Sequence, residues 1–236
     1  GPCLATPAGA AEAFWEAMPF APTGAQRRTL GEIARDLATP HAMARMVQGD
    51  VGSGKTAVAM GAMLLCAEAG WQAALMAPTE ILAEQHCRTL SSMLSPMGME
   101  VALLTGGMPA AKRRQALARM ESGQADVVVG THALLESGVS FHRLGLVVTD
   151  EQHRFGVAQR ARLAAKGASP HLLVMSATPI PRTLALIIYG DLDVSVIDQL
   201  PPGRVPVQTF VVGESKRQRM YNFVRKQAGE GRQTYI

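Results

Sequence analysis

Short apolar runs alternate with longer amphipathic ones along most of this chain. Arg45 to Gln48, Gln72 to Ala77, Glu100 to Leu104, Asp126 to Val129, Leu144 to Thr149 and His171 to Met175 are brief and rich in Val, Leu, Met and Ala, which reads as buried strand. Between them Ala57 to Ala69, Thr79 to Leu94 and Ala110 to Met120 read as helices. Upstream, Ala10 to Met18 predicts a helix ending before Pro19. Thr23 is a natural N-cap for a second helix, Gly24 to Leu37, which Thr39-Pro40 stops. Asp191 to Asp198 closes the series as a last extended segment. Near-continuous apolar strands spaced by helices predict an α/β fold, a mostly parallel sheet with helices on both faces. In such sheets ligands collect at the carboxyl ends of strands. Each polar cluster of interest below directly follows a predicted strand.

Gln199-Leu-Pro-Pro-Gly-Arg204 is the clearest linker. Beyond it Val205 to Val212 predicts a strand, Glu214 to Gln227 a basic helix, and Gln233 to Ile236 the start of another strand. That is one βα unit, too little to form a core alone. The expected organisation is a lead-in over 1–22, a main domain over 23–199, a linker over 200–206 and the truncated start of a second domain over 207–236. The abrupt beginning at Gly1-Pro2 and the end inside an element suggest a fragment.

Gly49-Asp50-Val51-Gly52-Ser53-Gly54-Lys55-Thr56 matches G-x-x-x-x-G-K-[ST] between a predicted strand and a predicted helix. The residue types suit a polyphosphate. Gly49, Gly52, Ser53 and Gly54 let successive backbone N–H groups curl around it, and the Lys55 ammonium offsets its charge. The Thr56 hydroxyl suits Mg²⁺, and the N-terminus of the following helix adds its dipole. The expected cofactors are ATP and Mg²⁺.

A second cluster ends the strand Leu144 to Thr149. Asp150 suits the metal and Glu151 suits a general base that polarises an attacking water, so hydrolysis of ATP is the expected reaction. Other candidates stay bland on their own chemistry. Gln26 and Phe20 fit an adenine edge and a stacking face, yet by themselves read as a surface amide and a core ring. Lys112-Arg113-Arg114 reads as a solvated helix face, and His86, His132, His153 and His171 show no metal-ligand spacing.

Composition narrows the setting. The 47% apolar content is that of a core-forming protein, and no apolar run reaches the roughly 18 residues that span a bilayer. Gly1 to Phe20 has no basic n-region of a signal peptide, and Cys3, Cys66 and Cys87 are odd in number, so a reduced cytoplasmic location is expected. The net charge of +4 is unevenly spread: residues 1–203 hold 16 Lys/Arg against 17 Asp/Glu, and residues 204–236 hold 7 against 2. The main body therefore lacks the basic face that announces nucleic-acid binding by electrostatics alone.

Longer strings carry a resemblance. Asp150-Glu151-Gln152-His153 after a phosphate loop, with Ser176-Ala177-Thr178 after a later strand, resembles superfamily 2 helicases and translocases, whose motor lobes are RecA-like P-loop NTPase domains. Gln48 to Thr56, Ala77-Pro-Thr-Glu-Ile-Leu-Ala-Glu-Gln-His86, Gly130-Thr-His-Ala-Leu-Leu-Glu136, Asp150-Glu-Gln-His-Arg-Phe-Gly-Val157, Met175-Ser-Ala-Thr-Pro-Ile-Pro-Arg-Thr183 and Tyr189 to Asp198 are similar to the RecG family of bacterial branched-DNA helicases. The similarity runs from about Phe20 to the end of the chain. The Mfd family of transcription-repair translocases shares two of these strings. It usually has Glu at the position of Gln152 and lacks Leu200-Pro-Pro-Gly-Arg204, so RecG is the better match.

The resemblance implies an ATP-binding lobe over 23–199 joined to the start of the second RecA-like lobe. Phe20 and Gln26 would hold adenine, and Gly49, Gly52, Ser53, Gly54, Lys55 and Thr56 would hold phosphates and Mg²⁺. Asp150 and Glu151 keep the roles above, Gln152 and His153 complete their motif, and Ser176 and Thr178 would couple nucleotide state to domain movement. Pro78, Thr79, Gly106, Gly107 and Thr131 would face DNA through backbone N–H and hydroxyl contacts to phosphates, which carry no base information. The implied partners are forks and Holliday junctions, with single-stranded-DNA-binding protein as a family partner. The wedge domain would precede residue 1 and the arginine fingers would follow Ile236, so the chain alone is expected to bind ATP weakly, hydrolyse it barely and unwind nothing. A different class of protein, a nucleotide-gated binding module without turnover, is disfavoured by Glu151, since a switch needs no base.

Overall fold

Seven strands form one sheet in which every neighbouring pair runs parallel. They are β1 (Ala44–Gly49), β2 (Gln72–Met76), β3 (Val101–Leu104), β4 (Val127–Gly130), β5 (Leu144–Thr149), β6 (His171–Ser176) and β7 (Asp193–Ile197), in the spatial order β3-β4-β2-β5-β6-β1-β7. The computed structural model describes residues 1–150, 165–167, 169–177, 192–201 and 208–235. Its helices are α1 (Ala10–Ala17), α2 (Gly24–Leu37), α3 (Lys55–Glu68), α4 (Glu80–Leu94), α5 (Ala110–Glu121) and α6 (Arg217–Gly229).

Strand periodicity sorts the core into two layers. Ala73 and Leu75 of β2 and Leu146 and Val148 of β5 face the layer that holds Phe14 of α1, Leu30 of α2, Met63 of α3 and Leu90 of α4. Ala74, Met76 and Val147 face the opposite layer with Ala116 and Met120 of α5. Helices thus cover both faces, as the alternation of runs predicts. Helix α3 is buried over ten consecutive residues, Ala57 to Cys66. Gly61 makes room for its neighbours there, because a Cβ at that position would lie 2.7 Å from Leu30 Cδ2 and 2.9 Å from Phe14 Cε1. The lead-in joins the same core through Leu4, Phe14 and Trp15.

Two buried polar ties fix the sheet. The Gln72 amide donates to the carbonyls of Met120 (3.0 Å) and Ala125 (2.7 Å) and accepts from the Arg143 N–H at 3.1 Å. His171 Nδ1 accepts from the Met43 N–H at 3.0 Å, which leaves the proton on Nε2 to donate to the Pro2 carbonyl at 2.7 Å. Burial pushes this imidazole below the usual histidine range.

The chain falls into two compact units, 1–202 and 203–236. In the second, the strands expected over Val205 to Val212 and from Gln233 are not formed at 208–212 or 233–235; residues 205–207 and 236 lie outside the described ones. A strand is held by a neighbour's hydrogen bonds, and a lone βα unit supplies no neighbour. The expected helix from Glu214 begins with a 3-10 turn, Glu214–Lys216, before α6, which buries none of its residues.

Candidate nucleotide and metal site

Strand β1 ends at Gly49, and the chain turns through residues 50–54 into the first turn of α3. Two glycines are required by their surroundings. Gly54 is the N-cap of α3 at φ +88°, and a Cβ there would strike the Gln26 amide. A Cβ on Gly49 would lie 2.6 Å from Ser53 Oγ and 2.9 Å from the Ile197 carbonyl. Lys55 Nζ donates to the carbonyls of Gly49 (2.6 Å) and Asp50 (2.9 Å), which pins the ammonium over the loop that the sequence assigns to phosphates. Thr56 follows in the same first turn, half-buried.

Gln26 is more than a surface amide. It is 2% exposed and closes a capping box on α2: its Oε1 accepts from the Thr23 N–H at 2.8 Å while Thr23 Oγ1 accepts from the Gln26 N–H at 3.2 Å. Its Nε2 donates to the Ser53 carbonyl at 2.8 Å, so α2 is tied to the turn between β1 and α3. A side-chain amide has two donor hydrogens and two acceptor lone pairs, so one of each remains. Adenine presents a donor and an acceptor side by side on one edge, whereas guanine presents two acceptors there. Beside this amide, Phe20, Ala21, Gly54, Ala57 and Pro201 line a cavity of about 390 Å³, within the range of small-ligand pockets.

Asp150 follows β5. Strand β6 lies between β5 and β1, and the three carboxyl ends stand together, with Gln48 paired to Ser176 and Thr149 to Val174. Asp150 Oδ2 meets His86 Nε2 at 2.6 Å, and both side chains are mostly buried. A carboxylate and a hydroxyl are the hard oxygen donors Mg²⁺ takes, and the ion usually retains several waters, so Thr56 and Asp150 fit it as a donor pair. Glu151, Gln152, His153 and Thr178 lie outside the described residues.

The residues expected to face DNA follow β2, β3 and β4, on the same carboxyl edge of the sheet but on the side of β5 away from β1. Thr79 caps α4, its Oγ1 accepting from the Leu82 N–H at 3.3 Å, with Pro78 just before it. The Gly107 N–H, beside Gly106, donates to Glu80 Oε1 at 2.8 Å, so a carboxylate holds an amide expected to meet phosphate. Thr131 is 1% exposed and its hydroxyl has no partner among the described residues, so this conformation does not open that hydroxyl to a DNA strand.

The sequence assigned no role of its own to three residues that make these contacts: His86, Glu80 and Gln199, whose Oε1 accepts from the Ala25 N–H at 3.0 Å. His86 has no ligand spacing, Glu80 reads as an ordinary first-turn acid, and Gln199 lies 174 residues beyond its partner.

Residues 23–187 match the model of the DEAD/DEAH box helicase family. The chain belongs to that family. This helicase-family chain is 55% identical to ATP-dependent DNA helicase RecG of Synechocystis sp., over 95% of its own length and 27% of that protein. It is 50% identical to ATP-dependent DNA helicase RecG of Bacillus subtilis, over 94% of its own length and 33% of that protein. It spans about a third of the length of the curated relatives it matches. Among solved structures it is similar to RecG bound to a three-way DNA junction, with TM-score 0.85 and 46% identity over 96% of this chain and 30% of that one. A DEAD box protein from Methanococcus jannaschii, at 21% identity, TM-score 0.60 and coverage of 87% and 57%, shares the fold. Among the described residues no helix is long and apolar enough to cross a membrane.

Proposed function

We propose that this chain is the first ATP-binding lobe of a RecG-like motor, a longer protein that uses ATP hydrolysis to drive along duplex DNA and remodel forks and Holliday junctions. The observation that supports it is that Lys55 and Gln26 both hold the turn after β1, beside a cavity of about 390 Å³, while Asp150 follows β5 on the same carboxyl edge of the sheet. In this reading Phe20 and Gln26 receive adenine. Gly49, Gly52, Ser53, Gly54 and Lys55 bind phosphates, Thr56 and Asp150 hold Mg²⁺, and Glu151 orients the attacking water. Ser176 and Thr178, with Gln152 and His153, couple nucleotide state to movement of the second lobe. When bound, Mg²⁺ would draw charge off the phosphates.

Branched DNA is supported by the similarity to RecG on a three-way junction. It would lie over Pro78, Thr79, Gly106, Gly107 and the backbone at Thr131. Contacts through backbone amides and hydroxyls suit a main body without a basic face and select DNA by shape. Single-stranded-DNA-binding protein and a cytoplasmic location belong to the same proposal, as do the boundaries of the two lobes.

The test is steady-state ATP hydrolysis by the full-length protein with and without a synthetic fork, beside a Lys55→Ala variant. The reading expects strong stimulation by the fork that Lys55→Ala abolishes. Turnover indifferent to DNA overturns it.

A further inference from the structure

The base cavity has a wall that the nucleotide motifs do not supply. Pro201 lines it together with Phe20, Ala21, Gln26, Gly54 and Ala57, although Pro201 follows β7 at the start of the linker. The segment before it is fastened to α2 at three points. Gln199 Oε1 accepts from the Ala25 N–H at 3.0 Å, Arg28 Nη2 donates to the Val196 carbonyl at 3.0 Å, and the Arg28 guanidinium stands 3.6 Å from Asp198. The ion pair is solvent-exposed and adds little. The Gln199 contact differs in kind, because the first amides of a helix have no partner inside it. Thr23 satisfies the Gln26 N–H, and Gln199 satisfies the one before it. From there the connection continues without a gap: α2 carries Gln26, and the Gln26 amide holds the Ser53 carbonyl of the phosphate loop.

We infer that Gln199 and Pro201 complete the base site, Pro201 as a wall against a purine ring and Gln199 as a positioning residue that holds that wall to the N-terminus of α2. Base occupancy then holds the start of the linker against the lobe, so the site reports through the chain that leads to the next unit. A phosphate alone, seated at Lys55, does not reach this wall. The inference rests on the nucleotide site proposed above.

The experiment uses the full-length protein with two probes, ATP and tripolyphosphate, titrated by calorimetry into the parent, Gln199→Leu, Gln199→Glu and Pro201→Gly. Trypsin cleavage after Arg204 serves as a second readout. Gln199→Leu and Pro201→Gly should each weaken ATP about fivefold, the scale of one lost hydrogen bond or stacking contact, and leave tripolyphosphate unchanged. Gln199→Glu keeps the acceptor for the Ala25 N–H and should restore ATP to within about twofold of the parent. ATP should slow cleavage after Arg204 in the parent severalfold, and tripolyphosphate should not. Parent and variants binding ATP equally, with cleavage indifferent to ATP, overturn this inference and leave the nucleotide site standing. A parent that binds neither probe overturns the nucleotide site itself, and this inference with it.

Discussion

His86 Nε2 lies 2.6 Å from Asp150 Oδ2, joining the middle of α4 to the carboxylate proposed for Mg²⁺. The same helix begins after Thr79, with Glu80, where DNA is proposed to bind, so one helix touches both the proposed DNA segment and the carboxylate proposed for Mg²⁺. His86→Leu removes the contact and keeps the apolar bulk. We expect the Mg²⁺-dependent part of ATP affinity to fall about fivefold and affinity in EDTA to stay unchanged. A fluorescent ATP analogue titrated with and without Mg²⁺ measures both, and equal losses in the two conditions would assign His86 to packing.

Glu80 places a carboxylate on the Gly107 N–H. A DNA phosphate reaching that amide must displace it and also meets its negative charge. Glu80→Gln removes the charge and keeps an acceptor, whereas Glu80→Ala frees the amide. In the full-length protein, fork affinity measured by anisotropy should rise about twofold for Gln and about fivefold for Ala. Unchanged or weaker binding in both variants counts against DNA contact at Gly107.

Lys55→Ala removes the ammonium that sits on the Gly49 and Asp50 carbonyls. ATP affinity should drop at least about tenfold while adenosine affinity stays level, because the base cavity is lined by other residues. Paired titrations of the two ligands check this.

Gln72 is 4% exposed and its amide serves two carbonyls and one N–H. Gln72→Leu preserves the volume but strands the Ala125 carbonyl and the Arg143 N–H, while the Met120 carbonyl keeps the His142 N–H. A loss of about 2–4 kcal/mol is expected, read as a lower urea midpoint at unchanged slope.

His171 is held neutral by burial, below its ordinary value of 6.5. The unfolded chain takes up the proton near pH 6.5 and the folded chain resists it. Its contribution is therefore complete above about pH 6.5 and is lost as pH falls from there through the depressed folded value. Unfolding midpoints at pH 7.5 and 5.5 should fall further apart in the parent than in His171→Gln. The variant can still accept from the Met43 N–H but does not titrate.

The parallel α/β class, the order of elements and the glycine-bearing turn from β1 into α3 were legible in the residues, because each rests on local rules. Strand and helix periodicity need only a few neighbours, and Gly54 is required by one backbone angle of +88°. Thr23 predicted the start of α2 for the same reason. Among the described residues no strand forms at 208–212 or 233–235, where one was expected, since an apolar run becomes a strand only beside a partner edge. Tertiary structure alone decided the rest. Sheet order put β6 between β1 and β5 and so placed Asp150 and the loop after β1 on the same carboxyl edge of the sheet, two strands apart. Folding also brought His86 to Asp150 across 64 residues and Gln199 to Ala25 across 174. Hydrogen bonds of that span leave no periodicity in a sequence, because the residue types involved are common and only the packed sheet fixes which of them meet.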